Sequence, residues 1–325
     1  MGFLDLTIQN LISPMVLFFA LGALAALVRS DLSVPDAVAR LLTLYLLMAI
    51  GFKGGVEVSH NGLTSAVVAA MAAGVLLSAI TPLIAYGVLR LATDMPRVDA
   101  AAVAGHYGSI SAVTFAAVTG VLNHLAAPYE GYMAAVAAAM ETPAIFTALA
   151  IARFTGSANR PGQSSSVLRE AALNGSIVML LGSFIIGSVT GARGLAMLKP
   201  FLVDPYAGFL CLFLLDMGLM AGRGLQKGWR TLSLPAMLFG LGMPLIGALL
   251  GGCLASALSL SAGGAAVLIT LAASASYIAA PAAMRIALPE ANLGIALTLS
   301  LGVTFPFNLT LGIPAYIAFA SYVAG

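Results

Sequence analysis

Two short polar stretches interrupt apolar segments that are long enough to cross a bilayer. They are Gly105–Thr114, which reads GHYGSISAVT, and Ala273–Pro281, which reads ASASYIAAP. Glycine and serine favour unwinding of a helix, and irregular backbone is tolerated at membrane depth only where it is buried in protein or lines a cavity. A half-helix that restarts there presents free N–H groups and its positive dipole end, which suits an anion. The two stretches therefore predict a binding site for a small anion.

The side chains expected to contact this anion all belong to the two stretches. They are Ser109, Ile110, Ser111, Thr114, Ser274, Ser276 and Tyr277. The alternative for any single serine is a hydrogen bond from its hydroxyl back to a helix carbonyl, which is common in membrane helices. The presence of two matched interruptions favours the binding site.

A carboxylate within another apolar segment is the next candidate. Glu141 precedes Thr142-Pro143, and an ionisable group at this depth suggests a functional site. Pro143 removes a backbone hydrogen bond and frees carbonyl oxygens, which together with carboxylate and hydroxyl oxygens suit a hard cation. We expect a Na⁺ site whose ligands are Glu141, Thr142, Ser111, Thr304 and Asn308. A purely structural or a proton-carrying Glu141 is the alternative.

Other charged and polar residues have weaker interpretations. Lys53 and Glu57 are four residues apart and predict an exposed ion pair at the end of a membrane span. His106 is a candidate for substrate contact, proton transfer or simple packing. An intramembrane serine hydrolase built on Ser109 and His106 is disfavoured, because a spacing of three residues gives poor geometry for a nucleophile and its base.

Composition places all these residues in a multi-pass membrane protein. The chain is 61% hydrophobic and 8% charged, with a mean hydropathy of +1.04, whereas soluble domains have about a quarter charged residues. The basic residues are scattered through short loops, so the net charge of +2 gives no reason to expect a nucleic-acid partner. No phosphate-binding Gly-Lys-Thr loop occurs, so we do not expect ATP-driven transport by this chain alone, and no Cys/His cluster has metal-ligand spacing. We expect neither an enzyme nor an organic cofactor.

Ten apolar runs of spanning length follow one another along the chain. They lie near 8–28, 35–52, 63–91, 99–123, 129–153, 167–190, 203–222, 233–258, 262–288 and 292–321. A polar stretch divides them into two groups of five. The division predicts a first repeat at 1–154, a cytoplasmic linker at 155–166 and a second repeat at 167–325.

Basic residues predict the orientation of these spans. With the N-terminus outside, 11 of the 14 lysines and arginines fall on the cytoplasmic side, so both termini are expected outside. Five spans per half is an odd number, so the second half enters the membrane from the opposite side and forms an inverted repeat, as in many secondary transporters. Spans 4 and 9 are then the broken ones, and their second half-helices are expected to point at one another.

Recurring motifs support the repeat. The pairs, at offsets of 165, 167 and 163 residues, are Gly108–Ser111 with Ala273–Ser276, Gly51–Gly55 with Gly218–Gly222, and Thr142-Pro143 with Phe305-Pro306. Three pairs in the same order at nearly one offset indicate an internal duplication.

The sequence also resembles a known family over essentially its whole length, the SbtA-type sodium-dependent bicarbonate permeases. The similarity rests on Ser13-Pro14, Ile50–Gly55, His106–Ser111, Ser274–Arg285 and Phe305–Leu309. The resemblance implies two inverted five-helix repeats arranged as a gate domain and a mobile core domain, an elevator mechanism and a homotrimer. It also implies that bicarbonate binds where the broken helices meet, with Na⁺ as the coupling ion beside it.

The resemblance further implies sodium-coupled bicarbonate uptake across the inner membrane of a bacterium. Family members tend to have an aspartate where this chain has Glu141, which keeps the charge and changes its reach. The resemblance suggests a PII-like cytoplasmic regulator, but the short linker argues against this partner. The alternatives are symport of another small oxyanion or organic acid, an anion channel that ignores Na⁺, and a membrane sensor or scaffold that binds without flux.

Overall fold

The computed structural model describes residues 3–62, 64–155, 175–228, 232–278, 280–281, 283–284 and 288–324. Helix makes up 83% of the structure, and no strand occurs in these ranges. The predicted linker at 155–166 lies outside the described residues except for Thr155, and so does Arg285 at the end of the second polar stretch.

The described residues of the first half form eight helices. Their bounds are Phe3–Leu11 (α1), Pro14–Leu27 (α2), Asp36–Asn61 (α3), Ser65–Ala92 (α4), Arg97–Gly108 (α5), Ala112–His124 (α6), Met133–Glu141 (α7) and Pro143–Phe154 (α8). Three apolar segments each contain two of them, namely α1 with α2, α5 with α6 and α7 with α8. Local sequence explains the start of α2, because the Ser13 hydroxyl accepts a hydrogen bond from the Val16 amide and Pro14 occupies the first turn. Pro143 occupies the first turn of α8 as well, but Thr142 before it makes no capping hydrogen bond.

The described part of the second half forms a further five helices. Their bounds are Gly175–Leu202 (α9), Tyr206–Gly228 (α10), Leu234–Ala257 (α11), Ala262–Ala272 (α12) and Leu293–Val323 (α13). Gly191, at φ 55°, breaks the regular geometry of α9. Two π-helical stretches, Thr298–Thr304 and Asn308–Gly312, lie within α13 on either side of the turn that contains Pro306. Such π-turns widen a helix and are frequent at functional sites.

The prediction of an all-helical membrane protein is confirmed. In the described residues, eight helical segments are long and apolar enough to cross a membrane, and a ninth results if α1 and α2, bent by 57°, count as one span. The remaining predicted span, 262–288, contains α12, which has 11 residues and is followed by irregular backbone at 274–278. Length and composition alone do not mark it as a span, so the count of ten stays a prediction.

Helices α2 and α10 pack along each other through reciprocal glycine contacts. A side-chain carbon on Gly22 would collide with the carbonyl of Leu215, and one on Gly218 would collide with the carbonyl of Phe19. Only glycine allows the two backbones to approach this closely, and close packing supplies much of the attraction between helices in a bilayer.

Helices α3 and α9 repeat this arrangement. Gly55 faces the carbonyl of Phe184, and Gly187 faces the carbonyl of Phe52, again with no room for a side chain. The first predicted span therefore packs on the seventh, and the second packs on the sixth. If a twofold axis relates the two halves, the first span corresponds to the sixth and the second to the seventh. The contact between the first and seventh spans then corresponds to the contact between the sixth and second.

The broken segment formed by α5 and α6 lies at the centre of the protein. In its most apolar 18-residue window, 94% of the residues are buried, compared with 22% for the outer segment Val178–Leu202 of α9. The irregular backbone between α5 and α6 is therefore surrounded by protein rather than lipid, which is the condition under which such backbone is tolerated at membrane depth.

Candidate functional site

The first polar stretch forms a short extended link between α5 and α6. Ser109 has φ −87° and ψ 140°, and Ser111 has φ −100° and ψ 112°. The Ser111 hydroxyl accepts a hydrogen bond from the Thr114 amide at 3.1 Å, which caps the start of α6. The interruption is narrower than the sequence suggested, because Gly105 to Gly108 stay helical and the Gly105 carbonyl still accepts from the Ser109 amide. Ile110 lies in the middle of the link and is buried.

The second polar stretch follows α12 and also ends in a serine-capped turn. The Ser274 hydroxyl donates to the carbonyl of Leu271 at 2.7 Å, which satisfies one acceptor at the end of α12. The Ser276 hydroxyl accepts from the amide of Ala280 at 3.2 Å. Both serine side chains therefore form hydrogen bonds with backbone groups that have no helical partner at the interruption.

The two interruptions contact each other directly. The amide of Ser276 donates to the carbonyl of His106 at 2.7 Å and to that of Ser109 at 3.1 Å, and the amide of Ser111 donates to the Ser274 hydroxyl at 3.0 Å. These residues are all buried, so each hydrogen bond satisfies backbone groups that water cannot reach. The result is one polar cluster built from the middle of both halves.

Two polar atoms in this cluster have no partner. The Tyr277 hydroxyl is buried beside the Ser111 side chain but makes no hydrogen bond of good geometry, and its ring packs edge-on against Phe305 at a centroid distance of 5.5 Å. His106 Nδ1 lies 2.8 Å from the carbonyl of Ala102 and must therefore carry the proton, which leaves the unpaired Nε2 as an acceptor. An unpaired buried polar group costs about 1–3 kcal/mol, which a ligand can offset.

Serine hydroxyls also form hydrogen bonds with the backbone groups that lose their helical partners at the break between α7 and α8, next to Glu141. The Ser78 hydroxyl donates to the carbonyl of Met140 at 2.6 Å and accepts from the amide of Ala144 at 3.1 Å, so it stands in the place of a direct helical hydrogen bond. The Ser109 hydroxyl donates to the backbone carbonyl of Glu141 at 2.9 Å. This contact joins the first interruption to the turn that carries the carboxylate.

The Glu141 side chain itself is buried, at 4% exposure. Among the described residues, no lysine or arginine pairs with it, and no three His, Cys, Asp or Glu side chains form a cluster that could hold a transition metal. Thr142, the next predicted ligand, is half-buried between α7 and α8. A buried carboxylate without a His or Cys cluster around it is a hard oxygen ligand and suits a hard cation better than a transition metal.

Thr304 and Asn308, the predicted ligands from the second half, already have protein partners. The Thr304 hydroxyl donates to the carbonyl of Gly240 and accepts from the hydroxyl of Tyr107, both at 2.6 Å. Asn308 donates to the carbonyl of Ala273 and accepts from a tyrosine hydroxyl, both at 2.8 Å.

No hydrogen bond between described residues links Thr304 or Asn308 to Glu141. The structure brings the two interruptions into contact, and it shows no hydrogen bond between the Glu141 side chain and the described cation candidates of the second half. Sequence reasoning missed Ser78, whose hydroxyl bonds to Met140 next to Glu141. It also missed Tyr107 and Tyr316, whose hydroxyls bond to Thr304 and Asn308 of α13. The only available signal was a polar side chain within an apolar run, and that signal does not reveal a partner far away in sequence.

Lys53 and Glu57 do not form the predicted exposed ion pair. Lys53 is half-buried and lines a cavity, while Glu57 is exposed and packs against the backbone of Gly131. The spacing of four residues places both on one side of α3, but the loop between α6 and α7 covers Lys53. The sequence of α3 alone cannot predict that this loop packs there.

Comparison with known families identifies the chain. The family model for the Na⁺-dependent bicarbonate transporter superfamily matches residues 14–321. The chain belongs to this superfamily. No curated protein matches the sequence.

Membership of the Na⁺-dependent bicarbonate transporter superfamily confirms the resemblance stated from the sequence motifs. The match covers both polar stretches and both halves of the predicted repeat. It indicates a transporter with multiple membrane-spanning helices, and it indicates bicarbonate and Na⁺ as the transported species of the superfamily.

Proposed function

We propose that the protein carries out Na⁺-coupled uptake of bicarbonate by alternating access. The observation that carries this proposal is the direct hydrogen bonding between the two interruptions, in which the Ser276 amide bonds to the carbonyls of His106 and Ser109. Transporters built from inverted repeats bind their substrates where discontinuous helices meet near the middle of the membrane. The buried cluster around Ser109 and Ser276 is such a meeting point.

Bicarbonate binds between the two serine-capped turns. Its oxygens replace water with hydroxyl and amide donors from both halves. These come from Ser109, Ile110, Ser111, Thr114, Ser274, Ser276 and Tyr277. The hydroxyls of Ser109 and Ser274 must turn away from the carbonyls of Glu141 and Leu271 to reach the anion. Tyr277 supports the assignment, because its buried hydroxyl is an unused donor. The hydroxyl of bicarbonate also needs an acceptor, and the unpaired Nε2 of His106 is an acceptor buried beside the same link.

Na⁺ binds at Glu141, with oxygens of Thr142, Ser111, Thr304 and Asn308 completing its shell. The ion offsets the negative charge of Glu141, and its field strengthens the binding of an anion nearby. The contact between the Ser109 hydroxyl and the Glu141 carbonyl links the two ions, because any movement of the Glu141 turn moves an anion ligand. Binding of each ion then favours binding of the other, and the coupling is reciprocal.

Transport proceeds as an elevator in a homotrimer. Helices α2, α3, α9 and α10 form the static gate, whose tight glycine contacts support a rigid unit, and the remaining spans form the core that slides and carries the site. Residues 1–154 and 167–325 are the two inverted repeats of a ten-span chain, with both termini outside and the linker in the cytoplasm of a bacterium. The exchanged packing of the first two spans of each half supports this topology.

The experiment is uptake of labelled bicarbonate by proteoliposomes that contain the purified protein. An inward Na⁺ gradient is expected to drive accumulation above equilibrium, and replacing Na⁺ with choline is expected to abolish it. Flux that follows only the anion gradient indicates a channel and contradicts the proposal. Uptake that other small oxyanions or organic acids drive better than bicarbonate contradicts the assigned substrate, and binding without flux indicates a sensor.

A further inference from the structure

A cavity with charged and polar side chains in its lining lies at the end of the helix bundle, beside the loop between α6 and α7. Its volume is about 450 Å³, large enough for a small hydrated anion. Its walls come from α3, α6, α7, α9, the start of α10 and that loop. The serine turns that carry the proposed transport function do not line it.

One face of α6 connects this cavity to the first interruption. Phe115, Thr119 and Asn123 line the cavity and follow one another at intervals of four residues. Ser111, which caps α6, occupies the next position of the same series, about 6 Å along the helix axis from Phe115 at 1.5 Å per residue. Phe115 is fully buried, so its ring forms a floor between the cavity and the serine turns.

Lys53 provides the positive charge in the cavity. It is half-buried, and the charged group that acts on its ammonium is the carboxylate of Glu57, one turn further along α3. Arg193 and Lys199, the other basic residues expected on this side of the membrane, are exposed and do not line the cavity. A cation in a concave, partly enclosed site attracts anions more effectively than one on an open surface.

Neutral hydrogen-bond donors surround Lys53. The buried hydroxyl of Tyr206 has no partner, although it lies beside Thr119 and Tyr129. Burial raises the pKa of Tyr129 to about 12, with Glu57 acting in the same direction, so its phenol keeps its proton at neutral pH and stays a donor. The lining therefore offers one cation and two phenol donors, of which Tyr129 must exchange its contacts with Thr119 and Asn123 for contacts with the anion.

We propose that this cavity is a waiting site for a monovalent oxyanion, in which Lys53 holds the charge and Tyr129, Tyr206 and Asn123 donate hydrogen bonds. The site rests on the proposed function, because it supplies the anion that passes Phe115 to reach the serine turns. Glu57 at the mouth opposes the charge of Lys53 and keeps binding weak, and a transit site must release its ion as readily as it binds it.

Cysteine labelling tests the waiting site without any need for transport. Ala127 lines the cavity without contributing a polar group, so Ala127→Cys in a Cys253→Ala background gives a reporter thiol, since Cys211 is buried. Its reaction rate is measured with an anionic sulfonatoethyl and a cationic trimethylammonioethyl methanethiosulfonate. The ratio of the two rates reports the local electrostatic potential.

Adding Lys53→Gln is expected to lower the anionic-to-cationic rate ratio roughly fourfold, because one charge about 10 Å away at a water-like dielectric changes each rate about twofold and in opposite directions. Lys53→Arg is expected to keep the ratio, and Lys199→Gln serves as the matched control that leaves it unchanged. Bicarbonate is expected to slow labelling when Lys53 is present, at constant ionic strength set with gluconate, and to lose this protection in Lys53→Gln.

Equal rate ratios in the Lys53→Gln variant and its parent, or protection that persists without Lys53, overturn the waiting site. An unreactive thiol at position 127 also overturns it, because the cavity would then be closed. These results differ from failure of the proposed function, which appears only as absent Na⁺-driven uptake. Labelling that depends on Lys53 together with absent uptake keeps the anion site and rejects the transport cycle.

Discussion

The backbone amide of Ser276 lies 3.1 Å from the carbonyl oxygen of Ser109 and donates a hydrogen bond to it. The two residues are 167 positions apart in the sequence, and each lies in the interruption of its own half. Because both are buried, the hydrogen bond fixes the two helix ends against each other where no water can compete. A ligand bound beside this contact is held by both halves at once, so movement of the turns and occupancy of the site are physically linked.

Glu141 is predicted to be the residue through which Na⁺ acts. Glu141→Ala and Glu141→Gln both remove the buried negative charge, so Na⁺ is expected to stop stimulating bicarbonate uptake in both variants. Glu141→Asp keeps the charge and is expected to retain Na⁺ stimulation with weaker Na⁺ affinity. The measurement is the initial uptake rate against Na⁺ concentration at fixed bicarbonate.

The control for Glu141 is Glu290→Gln, which removes an exposed carboxylate that belongs to neither interruption. It is expected to behave as the unmodified protein. An unchanged Na⁺ dependence in Glu141→Ala would exclude this carboxylate from the cation site.

Ser78 is predicted to position the Glu141 turn. Its hydroxyl bridges Met140 and Ala144, so Ser78→Ala lets the helix close across the bridge and moves the carboxylate. A displaced ligand is expected to raise the Na⁺ concentration for half-maximal uptake about tenfold, which corresponds to one lost hydrogen bond of about 1.4 kcal/mol.

Thr81→Ala is the matched control for Ser78, because Thr81 is buried in the same helix and its hydroxyl bonds only to the carbonyl of Leu77. Equal Na⁺ affinity in the Ser78→Ala and Thr81→Ala variants would show that the bridge does not affect the cation site.

Gly22 is predicted to be essential for the contact between α2 and α10. Gly22→Ala places a methyl group against the carbonyl of Leu215, so the helices must separate. The expected loss is about 1–3 kcal/mol of stability, typical of overpacking, measured as a lower unfolding temperature in detergent. Gly242→Ala, where open space surrounds the glycine, is expected to be neutral or slightly stabilising. Equal unfolding temperatures would contradict the close approach.

The sequence predicted the two interruptions well, because glycine and serine inside apolar runs are a local signal and their common offset relates the two halves. It could not predict Ser78, since the hydroxyl acts on a carbonyl 62 residues away. Asn308 shows a different limit. Its residue type suggested a cation ligand, which stays a prediction, but no local pattern indicated that its amide also donates to the carbonyl of Ala273 at the end of α12. Residue type indicates what a side chain can bind, but packing determines which partner it meets.

Lys53 shows the same limit for burial. The spacing from Glu57 predicted an exposed ion pair. The chain segment around Gly131 and Tyr129 packs against α3 instead, so Lys53 lines a cavity. The helical period gives the direction of a side chain relative to its own helix, and it carries no information about which distant loop covers it.

Bicarbonate affinity in the double variant Ser109→Ala/Ser276→Ala tests the central claim most directly. Labelled bicarbonate uptake is measured against bicarbonate concentration at saturating Na⁺, with Ser321→Ala as the control, because the Ser321 hydroxyl bonds only back to Ile317 of its own helix. The account predicts that the bicarbonate concentration for half-maximal uptake rises about tenfold or more, as expected for losing hydrogen bonds to a charged ligand. Na⁺ is expected to stimulate the residual uptake less strongly, because the contact between the Ser109 hydroxyl and the Glu141 turn is also lost. An unchanged bicarbonate affinity in the double variant would contradict the claim that the meeting point of the two interruptions is the anion site.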